Sequence, residues 1–264
     1  MYSAFFANLN NMDLQYTPFR IYKNLGAFFK SRKLVLVSGA LPFGRGAKKI
    51  PDVKGNYLTE DKFIQIIKSD NYIAVEAKDF VDPEKPQNSK VRRFRKNVSE
   101  TNKNIPVSTY VIIISEDSKY STSSAEFSTL LERLMDLAHK EKRKNNLDII
   151  IISEKPFKTN VTKKMEEFIK DGSDSNPYVD ISQYPYYVFS SNILEHKLVP
   201  LHEILNKDEE KEILEHMGTS AVKLGKILKN DPPIIWIGAI PGDVIKITSD
   251  SPTSGKLIEY AVVK

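Results

Sequence analysis

Two carboxylates and a lysine are the residues most suggestive of chemistry: Pro51-Asp52, then Glu76-Ala77-Lys78 at the end of a strand-like run. Two acids can hold Mg²⁺ while a neighbouring lysine supports an attacking water, so Asp52, Glu76 and Lys78 form a candidate hydrolytic centre. Asp52, however, sits in a basic, Gly-rich stretch and not at a strand end. Few other groups compete. The chain has no Cys, which excludes disulfides and thiolate metal sites, and only 4 His. His139, His196, His202 and His216 lack metal-ligand spacing with nearby carboxylates, and no Ser/His/Asp arrangement can be assembled. The run Gly44-Arg45-Gly46-Ala47-Lys48-Lys49 lacks the spacing and terminal Ser or Thr of a phosphate loop.

Charge is the other chemical signal. The 264 residues hold 39 Lys+Arg against 34 Asp+Glu, net +5. Residues 193–264 carry 9 basic and 11 acidic side chains, so the preceding 192 hold 30 against 23, a net of +7. Lys90, Arg92, Arg93, Arg95, Lys96 and Lys103 face only Glu100 in their stretch, and Arg45, Lys48, Lys49 and Lys54 face only Asp52. Such clusters suit phosphates, and they equally suit a solvated loop. The longest purely apolar runs, 111–114 and 149–152, fall far short of the ~18 residues of a membrane span. The start lacks the basic region and long apolar stretch of a secretory signal, so a soluble intracellular protein is expected.

The elements that must position these groups follow from periodicity. A helix is predicted over 18–29, where Ile21, Leu25, Phe28 and Phe29 recur at helical spacing. Thr59 is expected to cap a short helix carrying Phe63, Ile64, Ile66 and Ile67. Strands are predicted at 72–75 and 107–115, flanking a polar loop or hairpin tip over 82–106. Ser123 and Glu126 form a capping-box signature for a helix ending near Lys144. The run 147–152 reads as a central strand, and a helix over 163–170 is expected to stop at Gly172. The segments 184–189 and 193–200 read as extended. Strand, helix, strand, helix is an α/β order. The last 70 or so residues change character: Asn206 with Glu209 opens a helix closed by Gly218, and Asp231-Pro232-Pro233 starts a short helical piece through Trp236. Pro241-Gly242 is a turn, and 244–247 and 257–263 pair as a hairpin about 251–255. No repeat of 20 to 50 residues is present.

An ordered series of motifs in this last part resembles one family closely. The series runs Leu198-Val199-Pro200-Leu201-His202, Asn206-Lys207-Asp208-Glu209-Glu210, Leu224-Gly225-Lys226-Ile227, Asn230-Asp231-Pro232, Gly238, Gly242-Asp243-Val244-Ile245-Lys246-Ile247, Ser251-Pro252-Thr253-Ser254-Gly255 and Tyr260. It is similar to the small component shared by archaeal and eukaryotic multisubunit RNA polymerases, the fifth subunit common to the nuclear enzymes and its short archaeal counterpart. From Val199 onward the pattern fits without insertion or deletion. Each residue also has a plain structural reading: Gly238, Gly242 and Gly255 as unusual backbone dihedrals, Asp231-Pro232 as a helix start, His202 as a structural hydrogen-bonding group, Trp236 as an anchor in the core or at a subunit interface.

The resemblance implies a module that packs on the largest polymerase subunit without performing chemistry. Its subunit-interface candidates are Pro200, His202, Lys226, Asp231, Pro232, Trp236, Gly242, Asp243, Thr253, Gly255 and Tyr260. The chain departs from the pattern where the family tends to keep arginine and this sequence has Ile235, Thr248 and Ala261; Gly225 and Lys226 also replace the usual Pro-Arg. If those arginines pair with acids on a neighbour, the neighbour here is expected to lack them. The front part resembles the family's eukaryotic-type jaw domain in the order of its elements, which implies a position beside downstream DNA. The place equivalent to the family's DNA-approaching stretch reads Lys158-Thr159-Asn160-Val161-Thr162-Lys163, of which only Thr159 keeps the family residue. DNA-contact candidates are Lys158, Thr159, Thr162, Lys163, Arg92, Arg93 and Arg95, whose alternative role is a helix cap with solvated flanks.

The expected fold class is therefore α/β plus α+β: an N-terminal jaw, residues 1–192, with a mixed sheet flanked by helices, and a small α+β C-terminal assembly module, residues 193–264. The expected function is a noncatalytic subunit of a DNA-directed RNA polymerase, with no catalytic, cofactor or metal residues. Its expected partners are the largest and other polymerase subunits and downstream double-stranded DNA, with no membrane. The alternatives are a restriction-type nuclease using Asp52, Glu76 and Lys78, or a free DNA-binding transcription regulator. The Lys-rich, Asn- and Ile-rich composition points to an AT-rich genome, either a large DNA virus, placing the protein in a viral factory or virion, or a protist, placing it in the nucleus.

Overall fold

The computed structural model describes residues 17–32, 34–36, 58–79, 107–116, 118–140, 146–173, 179–251 and 255–264. Two compact units result, residues 1–29 with 33–191 and residues 30–32 with 192–264. The predicted loop over 82–106, the Gly44 run, and Asp52, Arg92, Arg93, Arg95 and Thr253 lie outside the described residues.

The first unit is built on a five-stranded mixed sheet in sequence order. Its strands are β1 (Leu34–Leu36), β2 (Tyr72–Asp79), β3 (Val107–Ile114), β4 (Asn146–Ser153) and β5 (Val179–Pro185). β1, β2 and β3 pair antiparallel; β3, β4 and β5 pair parallel, with Val111 opposite Ile150 and Ile150 opposite Ser182. Parallel neighbours need crossover connections, supplied by helices α3 (Ser124–Lys140) and α4 (Thr159–Ser173). Because side chains alternate along a strand, one sheet face presents Tyr110, Ile112, Ile149 and Ile151 to Phe127, Leu130 and Leu131 of α3 and Val161 of α4. The other face holds Val111, Ile113, Ile150 and Ile152, each at most 1% exposed. Unbroken Ile runs are what burial on both faces requires. Helices α1 (Thr17–Ser31) and α2 (Glu60–Asp70) meet through Phe19, Tyr22 and Phe63, and Phe28 of α1 meets Phe189 edge-on at 5.0 Å.

Several local expectations change. Thr59 precedes α2 without a side-chain cap, and α2 closes instead on Asn71 in the left-handed region. Ser123 does accept the Glu126 amide, at 3.4 Å. α4 starts four residues before the predicted Lys163 and ends at Ser173, one residue past the expected stop at Gly172. After β5 the chain does not stay extended: Tyr186–Val188 and Ile193–Glu195 are 3₁₀ turns, the first holding its Tyr186 hydroxyl on the Ile114 carbonyl.

The second unit has a four-stranded sheet ordered β6-β8-β9-β7, from β6 (Leu201–Ile204), β7 (Gly225–Ile227), β8 (Val244–Ser251) and β9 (Gly255–Val263). Helix α5 is Lys207–His216, and α6 is Pro232–Ile237. The small core joins Ile234 and Ile237 of α6 to Ile245 and Val263 of the sheet. Asn206 and Glu209 form a complete capping box; an N-cap of this kind is worth about 1 kcal/mol. Asp231 stands at the start of α6 without a side-chain cap; prolines at the first helical positions set the turn instead.

Candidate functional site

On the four-stranded sheet, alternation assigns His202, Ile204, Ile245, Ile247 and Val263 to the core side and their neighbours to the outer side. The outer side carries one row of Leu201, Thr248 and Ile258 and a second of Glu203, Lys246 and Tyr260, with Lys246 and Glu203 paired at 3.9 Å. Lys226 stands on the same side, exposed, beside Val262. Leu201 is 59% and Ile258 48% exposed. Leu198, Met217, Val222, Leu228 and Leu257 are also exposed, so residues 192–264 hold 7 of the 8 large exposed hydrophobic side chains among the described residues. Helix α5 buries no residue at all. The row of Leu201, Thr248 and Ile258 on one sheet face is a candidate interaction surface.

The interface candidates divide on this geometry. Lys226 and Tyr260 stand on the outer side, and Gly255 is exposed at the start of β9 with φ +75°. Trp236, expected as an anchor in the core or at a subunit interface, has no exposed surface in this chain. Asp243, 8% exposed, accepts the Ile240 amide at 2.9 Å, and the Gly242 amide donates to the Val263 carbonyl; both hold a turn. His202 is buried, and its Nδ1 donates to the Pro200 carbonyl at 2.7 Å, a use that fixes Pro200 as well. Burial pushes the His202 imidazole down from its ordinary range, against the Pro200 bond and the nearby Asp231 charge; burial pushes Asp231 up, against His202. Asp231 and Pro232 are half-buried at the start of α6.

At the arginine departures, Ile235 and Ala261 are buried, 3% and 8% exposed. Only Thr248 stands on the outer side, between Leu201 and Ile258.

In the first unit the parallel strand β4 leads to the start of α4. Val161 and Thr162 amides bond the Lys158 carbonyl, and the first turn of α4 has no acidic residue. Lys158, Thr159 and Lys163 are exposed or half-buried there, so cationic side chains surround the positive end of a helix dipole. The Thr162 hydroxyl donates to the Lys158 carbonyl at 3.3 Å. Glu76 is only 4% exposed, closed inside β2 on the face bearing Ala74, and a hydrolytic carboxylate needs access to water and substrate. Among the described residues no group of three His, Asp or Glu could hold a metal ion.

Residues that sequence reasoning did not single out complete the site. Leu201 and Ile258 were legible in principle, as apolar positions out of phase with the core side of their strands. Ser31 and Arg32, whose side chains end on carbonyls of α6, carry no local signal because their partners lie more than 200 residues along the chain.

Residues 191–263 match the family model for the C-terminal domain of RNA polymerase Rpb5. A DNA-directed RNA polymerase RPB5 homolog of African swine fever virus is 24% identical over 235 residues, covering 89% of this chain and 91% of the viral protein. The DNA-directed RNA polymerase subunit Rpo5 of Archaeoglobus fulgidus is 45% identical over 69 residues, 26% of this chain and 91% of the archaeal one. That of Methanosphaera stadtmanae is 40% identical over 74 residues, 28% and 96% respectively.

Proposed function

This chain belongs to the Rpb5 family of DNA-directed RNA polymerase subunits, and from that premise we propose that residues 193–264 pack on the largest polymerase subunit while residues 1–192 form a jaw beside downstream DNA. The subunit is noncatalytic: it assembles and positions. The observation that carries the docking half is the outer sheet face, where Leu201, Thr248 and Ile258 form an uncovered row in a unit whose core cluster is four buried residues. Covering such a face with a partner removes apolar area from water at roughly 25 cal/mol per Å². Lys226, Gly255 and Tyr260 border or share that face, and Thr253 joins them on the family pattern alone.

The DNA half rests on the start of α4. Lys158, Thr159 and Lys163 suit phosphate oxygens, which position a protein without reading sequence. Arg92, Arg93 and Arg95 add sequence-level positive charge to the same jaw, whose net is +7. A viral relative that spans most of the chain supports a virus-encoded subunit, working in a cytoplasmic viral factory or carried in the virion. Cross-linking the assembled polymerase on a DNA template tests both halves. Lys226 and Lys246 are expected to link to the largest subunit, and Lys158 and Lys163 to template DNA. Links from Lys226 and Lys246 to DNA, with none to protein, would overturn the assignment of the two surfaces.

A further inference from the structure

Helix α6 is six residues long and ends on Gly238 in the left-handed region, φ +71°. A helix leaves its last carbonyls without intrahelical partners, and here the Gly238 and Ala239 amides satisfy that of Ile234. The Gly238 amide also reaches the Ile235 carbonyl, at 3.2 Å, and side chains at the end of α1 add bonds to that carbonyl and to the next one. Arg32 donates to the Ile235 carbonyl from Nη2 at 2.6 Å and Nε at 3.1 Å, and the Ser31 hydroxyl donates to the Trp236 carbonyl at 2.7 Å. Arg32 is 6% exposed. Gly238 is required for a second reason: a Cβ there would come within 3.1 Å of Arg32 Nε. A guanidinium suits this place because it is planar, permanently charged, and sited at the negative end of a helix.

Residues 30–32 accordingly cluster with 192–264 and not with the rest of α1. The family model begins only at residue 191, and the archaeal relatives align to about a quarter of this chain over nearly their whole length, so neither comparison includes residues 30–32 together with the matched stretch. We propose that the assembly module of this chain is a two-segment unit, in which residues 30–32 complete the C-terminal fold and Arg32 is the positioning residue that holds α6 for docking. The matched stretch alone is then an incomplete docking unit. This rests on the reading of residues 193–264 as the docking module; the closure of α6 by itself does not.

The test uses the full chain and its Arg32→Ala, Arg32→Lys and Ser31→Ala variants, followed by amide hydrogen exchange and by recovery with the other polymerase subunits. Arg32→Ala is expected to speed exchange of the Gly238 and Ala239 amides at least tenfold while amides of β3 and β4 stay protected. Arg32→Lys is expected to restore only part of the protection, since an ammonium keeps the charge but not the forked geometry. Ser31→Ala, which removes one bond, is expected to have the smaller effect, and recovery with the polymerase should fall in the same order as protection. Exchange within twofold of the parent in Arg32→Ala, equal loss of protection across β3 and β4, or unchanged recovery despite faster exchange would each overturn the proposal. Failure of the parent chain itself to be recovered with the polymerase would instead count against the docking reading, and the exchange result would still decide whether residues 30–32 complete the unit.

Discussion

The five-stranded sheet of the first unit has buried side chains on both faces, whereas the four-stranded sheet of the second has a core on one side and Leu201, Thr248 and Ile258 on the other. In the first, α3 and α4 bring Phe127, Leu130, Leu131 and Val161 onto one face, and Val111, Ile113, Ile150 and Ile152 are sealed on the opposite one. In the second, α5 buries nothing and seven large hydrophobic side chains among the described residues remain exposed. Size explains part of the contrast, since a unit of about 75 residues buries a smaller fraction of its surface. The rest is what the proposed division of labour requires. A unit that keeps its apolar surface for itself is a stable platform; one that leaves it open gains stability by binding.

The strongest way to break that contrast is to empty each core. The only tryptophan, Trp236, is fully buried and lies on α6 of the second unit, so its fluorescence follows the unfolding of that helix. Ile234→Ala should cost about 2–5 kcal/mol and lower the denaturation midpoint seen by Trp236. Ile151→Ala should cost a similar amount, read by far-UV circular dichroism, with a smaller shift in the Trp236 signal. Identical shifts by both probes in both variants would mean that the two units unfold as one.

Next in size is the outer face. Leu201→Asp with Ile258→Asp should weaken recovery with the polymerase by tenfold or more, the cost of about 2 kcal/mol expected when an interface centre is lost. The Trp236 unfolding midpoint should change little, because both positions are already exposed. A collapse of stability without a docking defect would turn the face from an interface into a core. Asn206→Ala comes third, costing about 1 kcal/mol by removing the capping box of α5, read as a lower helix content in that unit on heating.

A pH effect is expected in the second unit. His202 is held below its unfolded value by burial, so the unfolded chain takes up the proton first and stability falls as pH drops below about 6.5. Asp231, pushed up by burial, works in the opposite sense near the carboxylate range, where lower pH relieves it. The Trp236 midpoint is therefore expected to fall between about pH 7.5 and 5.5, and His202→Asn to flatten that fall. The smallest effect concerns DNA: Lys158→Ala with Lys163→Ala should reduce the salt slope of DNA retention by the assembled polymerase by about 1 to 2, one phosphate for each lysine.

What was legible in the sequence follows the same division. The Ile runs of β3 and β4, the Ser123 signal and the Asn206 capping box were readable because each is a local pattern with one physical solution. Helix starts were less so: α4 began four residues before Lys163, and Thr59 and Asp231 marked helix starts without bonding as caps. The motif series named the family, yet it did not separate residues that hold the fold from those that meet a partner. Trp236, Asp243 and His202 belong to the first group by burial; Lys226 and Tyr260 stand on the outer face. Arg32 was illegible for a different reason. Its partner is the Ile235 carbonyl, 203 positions away, and a backbone acceptor leaves no trace in side-chain type.

The most direct test of the account is the composition of the native polymerase. Purified from its source through a high-salt wash, the enzyme should retain this chain at one copy per largest subunit, because the docking surface is apolar. Release of the chain as salt rises, while it remains bound to DNA at low salt, would contradict a core subunit and point to a free regulator held by phosphate contacts.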